Sequence, residues 1–154
     1  MTERLLRFPV LRSPARRARL LLGAYLLVVA TLTFAPMVEP RVLAALVRLV
    51  GEVSGQRGHR TGVWVERGSN VALFVPLALL LCWALPRVRR TAVWVACVLG
   101  SVGVELVQWA FLPERTASVV DVFTNGSGAA VGVVLHWLRT RRRRSAGIPP
   151  RSPA

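Results

Sequence analysis

Glu105 and Gln108 stand three residues apart in an apolar stretch, VELVQWAFL. Asp121 and Asn125 stand four apart in another, VVDVFTNGSGAAVG. On a helix each pair shares a face, and Ser101, one turn before Glu105, joins the first. The second face continues through Gly128 and Gly132. Asn70 opens a further apolar run, and Arg115 lies in the link PERTAS. These carboxylates, amides and one guanidinium are suited to hydrogen-bonding a polar headgroup. A carboxylate with a nearby arginine can also serve acid–base chemistry on a phosphate-bearing substrate. Metal chemistry is not indicated. His59 has no partner at ligand spacing, and Cys82 and Cys97 sit singly in apolar runs, which favours packing over redox work. No metal and no cofactor are expected, and the catalytic residues, if any, stay unassigned.

The elements that hold these groups are apolar runs. The 154 residues are 53% hydrophobic and 18% charged, in a pattern of membrane spans rather than a globular core. Four runs approach the roughly 20 residues a spanning helix needs. They are residues 20–38, 70–85, 91–112 and 119–138. The expectation is an all-α membrane protein of four transmembrane helices. A basic segment, 1–19, precedes the membrane domain, 20–138, and a basic, disordered tail, 139–154, follows it. Pro76 predicts a kink in the second helix. The first run is longer than the apolar region of a signal peptide, and Pro36 follows the best cleavage residue, Ala35, so it is expected to remain as a helix.

Net charge is +14, and all 21 basic residues are arginine. They flank the apolar runs, and no nucleic-acid-reading module is visible, so nucleic acid is not an expected partner. Most arginines fall before the first span, in the link 86–90 and after the last span. The other side carries fewer, offset by Glu39, Glu52, Glu66 and Glu114. The positive-inside rule then places both termini in the cytoplasm. The lack of lysine fits a GC-rich bacterial genome, and the expected location is the bacterial inner membrane. The tail TRRRR is a topology anchor, and could also hold anionic lipid. The long link 39–69 begins RVLAALVRLVGEV, with Val42, Leu43, Leu46, Val47, Val50 and Val53 on one helical face. That predicts a short amphipathic helix on the outer surface, either a lid or a filler of space. The following SGQRGHRTG predicts a flexible loop containing a solvated His59.

Depth gathers the polar groups. With that orientation Glu105 lies about 10 Å below the outer end of its helix, at 1.5 Å per residue. Asn70, Asp121 and Asn125 also fall in the outer half. A carboxylate inside a membrane costs a few kcal/mol, so it requires protonation, a partner or a wet cavity. Arg115 is the expected partner of Asp121 or Glu105. The GxxxG spacing of Gly128 and Gly132 lets a neighbouring helix approach closely. The predicted result is a pocket among the second, third and fourth helices. The Asp121–Asn125–Gly128–Gly132 stripe would form one wall, and Glu105 with Gln108 the opposite one.

These residues, in this order, resemble the VanZ-like family of small bacterial membrane proteins. The match lies in Asn70, Phe74 and Pro76, in Glu105-x-x-Gln108, in Arg115, and in Asp121-x-x-x-Asn125-x-x-Gly128. It covers about residues 70–138. Two departures stand out: Ala78 sits where members often have glycine, and Ser118 and Val120 occupy a stretch often richer in aspartate. A mechanism needing two carboxylates there would have to recruit Glu105. The resemblance implies an accessory role in low-level resistance to the glycopeptide teicoplanin, acting where glycopeptides meet cell-wall precursors. The expected function is binding of a cell-envelope lipid-linked precursor or a lipophilic glycopeptide through Asn70, Glu105, Gln108, Arg115, Asp121 and Asn125. The alternatives are a membrane enzyme acting on a lipid headgroup and an assembly factor that binds a partner's helix.

Overall fold

The computed structural model describes residues 14–34, 38–55, 59–111 and 118–146. Among these residues five helices follow one another: α1 (Pro14–Phe34), α2 (Val38–Ser54), α3 (His59–Ala84), α4 (Arg90–Phe111) and α5 (Val119–Ala146). No strand occurs among the described residues. Four helices, α1, α3, α4 and α5, are long and apolar enough to cross a membrane. The all-α, four-span expectation therefore stands, with α2 as the additional amphipathic helix.

Several boundaries differ from the hydropathy reading. The helix of the second span, α3, begins at His59 rather than Asn70, so the HRTG of the expected loop, His59 included, is helical. Gly62 and Gly68 lower the helical propensity of this stretch, but Thr61 and Val65 are buried, and tertiary packing overrides the weak local preference. Arg115 lies outside the described residues, as do the side chains of His59 and Arg60. The first helix starts at Pro14, within the expected basic segment; proline suits the first turn, where its missing N–H is not needed. At the other terminus α5 continues through TRRRR to Ala146, so the first part of the expected disordered tail is helical.

Side-chain anchors set the packing order. Arg19 Nε donates to the Ala84 carbonyl at 3.1 Å, which caps the end of α3 with a cation from α1. Pro86 follows two residues later, and a tight turn (Val88 N–H to Leu85 O, 3.0 Å) leads into α4. Helix α5 lies between α3 and α4. It runs parallel to α3, with Asn70 meeting Asp121 and Gly132 packed on Val75. It runs antiparallel to α4, with Asn125 on Ser101 and Arg90 on Thr140. The core is small-grained: Ala78, Ala129, Leu77, Val93 and the two free thiols, Cys82 and Cys97. Large apolar side chains point outward instead, Phe111 and Phe123 being three-quarters exposed. That inversion suits helices whose outer solvent is hydrocarbon, where close packing of small residues holds them together.

Pro76 leaves the Ala72 carbonyl without its helical donor. One residue on, the Tyr25 hydroxyl donates to the Leu73 carbonyl at 2.6 Å, so α1 supports α3 where the proline weakens it. Tyr25→Phe should lower stability by about 0.5–1.5 kcal/mol, the usual net value of one such bond. Chemical-denaturant titration in detergent micelles checks this, and an unchanged midpoint would show that the bond contributes nothing.

Candidate functional site

Ser118 starts α5 as its N-cap. Its Oγ accepts the Asp121 N–H at 3.3 Å, and its carbonyl accepts from Asp121 and Val122. The spacing Ser118-x-x-Asp121 is that of a capping box, in which the acid at the third helical position would accept the Ser118 N–H. Here Glu105 of α4 takes that donor instead, through Oε2 at 2.7 Å. Asp121 Oδ1 in turn accepts Asn70 Nδ2 at 2.9 Å. These two hydrogen bonds stitch three helices, α3, α4 and α5, at this end of the bundle.

One turn further in, Asn125 Nδ2 donates to Ser101 Oγ at 2.8 Å. Asn125 is only 7% exposed, and its Oδ1 is buried with no hydrogen-bond partner among the described residues. Gln108 reaches α1, donating from Nε2 to the Thr33 carbonyl at 3.3 Å. Glu105 and Gln108 are as buried as Asn125, at 9% and 7% exposure. These groups edge a cavity of about 410 Å³. Asn70, Glu105, Gln108, Asp121 and Asn125 all line it, joined by Ser69, Glu66 and Thr33. Val29, Leu32, Val42, Leu43, Leu46, Leu73, Phe74 and Val104 supply the apolar lining.

Five of the six expected ligand-binding residues therefore meet at one cavity, and the sixth, Arg115, lies outside the described residues. The walls differ from the expectation. Helices α1 and α2 contribute as well as α3, α4 and α5, and Val42, Leu43 and Leu46 on α2 form part of the cavity rather than only a surface stripe. Gly128 and Gly132 do not face Glu105 and Gln108. They lie against the α3 backbone at Val71 and Val75, while Asn125 turns towards α4. The stripe has both neighbours because α5 is sandwiched between them. Glu66 and Ser69 are additional lining residues. Glu66 is one helical turn before Asn70, a signal hidden as long as the region was taken for a loop.

Among the described residues, no group of histidines, cysteines and acids could hold a metal. The arrangement is one of acceptors and amides beside an apolar wall, suited to a ligand with a polar head and an apolar continuation. No curated protein and no solved structure matches the chain. The VanZ/LLP1 family model matches residues 22–140, a segment that takes in the whole cavity lining. The chain belongs to the VanZ/LLP1 family.

Proposed function

We propose that this membrane protein binds a cell-envelope amphiphile, a lipid-linked precursor or a lipophilic glycopeptide, at the junction of its polar and apolar parts. Sugar hydroxyls and amides would meet Asn70, Glu105, Gln108, Asp121 and Asn125, and the apolar chain would run along α1, α2 and α3. The volume, about 410 Å³, falls within the range of sites that enclose a drug-sized ligand, so it would take one segment of a larger molecule. The arginine distribution supports an outer-leaflet opening, with both termini in the cytoplasm. This reading extends to teicoplanin-type resistance if the bound amphiphile is the antibiotic or the precursor it targets.

The buried Asn125 Oδ1 carries the proposal. An unpaired buried acceptor costs about 1–3 kcal/mol, so its retention favours a ligand donor. Asn125→Leu removes that orphan atom at similar volume, and Ser101 can turn its hydroxyl onto its own helix. The variant should hold its stability or gain slightly while losing ligand, a trade typical of functional sites. Lipid mass spectrometry of purified wild type beside Asn125→Leu and Glu105→Gln tests this. An amphiphile enriched in the wild type and depleted in both variants is expected. Equal recovery from all three, or no enrichment in the wild type, would defeat the reading.

A further inference from the structure

A second cavity, of about 500 Å³, opens at the opposite end of the bundle, where α3 turns into α4. Its lining includes Cys82, Arg87, Arg89, Arg90, Thr91 and His136, and among the described residues it contains no acid. Three arginines line one concavity within four residues of sequence. Such like charges repel unless an anion lies between them.

The local structure adds to the positive field. Helix α4 begins at Arg90, so its first-turn amides and the positive end of its dipole open towards the same turn. Arg90 is tethered: its Nη2 donates to Thr140 Oγ1 at 3.0 Å, which pins the start of α4 to α5. Arg87 and Arg89 are exposed, and their side chains have no hydrogen bond or ion pair among the described residues. His136 is held edge-on by Trp83, with ring centroids 6.4 Å apart, and Trp83 is itself covered by Arg139 at 5.8 Å. The Nδ1 of His136 is buried without a hydrogen-bond partner among the described residues. An arginine cluster that served only to anchor the helix ends would need neither the concavity nor the positioned histidine.

We propose that this cavity is an oxyanion site for a phosphate group, with Arg87 and Arg89 as its two free cations. The phosphate belongs either to an anionic phospholipid headgroup at the membrane surface or to a soluble phosphate compound. Basic recesses between membrane helices are suited to both.

Native mass spectrometry of the full chain, released from detergent, tests the site with three probes: phosphatidylglycerol, phosphatidylcholine and inorganic pyrophosphate. The wild type should retain one phosphatidylglycerol in preference to phosphatidylcholine, or should bind pyrophosphate saturably. The first result assigns the site to a lipid headgroup and the second to a soluble phosphate; either supports it. Arg87→Gln/Arg89→Gln should weaken that binding about thirtyfold, as expected for two arginines near an anionic group. Arg141→Gln/Arg142→Gln removes equal charge from the same end but outside the cavity, and should change binding less than about threefold. Equal weakening by both pairs would reduce the effect to general surface charge and overturn the site. So would indifference between the two lipids without pyrophosphate binding.

Discussion

Gly132→Ala and Gly128→Ala should each destabilise the purified protein by about 1–3 kcal/mol, the range for forcing a methyl group into a filled interior. Gly100→Ala should leave stability unchanged or raise it. At Gly132 the new Cβ would run into the Val75 carbonyl and lie 2.9 Å from the Ala78 Cβ. At Gly128 it would meet the Val71 carbonyl, with the Val71 Cα at 2.9 Å and the Phe74 Cβ at 3.1 Å. Most of these atoms are backbone, which cannot swing aside as a flexible side chain can. Relief therefore requires α3 and α5 to separate along their parallel contact. The glycine Cα hydrogens face these carbonyls, an arrangement suited to weak Cα–H···O attraction that would also be lost. Gly100 has nothing within 4 Å of an added Cβ. There, alanine only reduces the freedom of the unfolded chain, worth about 0.4–1 kcal/mol in favour of folding. Denaturant midpoints of the three variants in one detergent provide the measurement. If Gly100→Ala lost as much as Gly132→Ala, the close α3–α5 approach would not be the cause.

These glycines also show where sequence reasoning reached and where it stopped. The Gly128–Gly132 spacing marks a helix contact, because small residues four apart expose backbone to a neighbour. It does not say which neighbour, since α5 has α3 on one side and α4 on the other. The four spans were legible because their apolar runs approach bilayer length, and the shared faces of Glu105–Gln108 and Asp121–Asn125 follow from helical periodicity alone. The first part of α3 was not legible. HRTGVWVERGS mixes charge with two glycines, and only its packing, with Thr61 and Val65 buried, makes it helical. Missing that extension also hid Glu66 and Ser69 as lining residues. The apolar face of α2 was visible in sequence, but its division was not. Leu43 and Leu46 line the cavity while Val53 is 83% exposed, because the helix covers the cavity with only part of its length.

The exchange at the start of α5 depends on register between distant segments, and it separates two roles of Glu105. Ser118-x-x-Asp121 predicts a self-contained cap, yet the Ser118 N–H goes to Glu105 and Asp121 accepts from Asn70. Glu105→Ala should therefore destabilise the protein by about 1–3 kcal/mol, the range for leaving a buried donor, here the Ser118 N–H, without its acceptor. The loss should concentrate at the α4–α5 end, where amides in the first turn of α5 exchange faster with deuterium. Glu105→Gln keeps an oxygen in place for Ser118 and should cost about 1 kcal/mol or less, since the amide oxygen can accept the same bond. In that variant, α5 protection should stay near wild type. The ligand reading predicts a different order: amphiphile retention should fall in the Gln variant as well, because the carboxyl group has gone although the cap remains. Hydrogen exchange and lipid retention measured on the same two variants thus report separate roles. If Gln restored both, Glu105 would act as a helix cap alone, and recognition would rest on Asn125 and the Asn70–Asp121 pair.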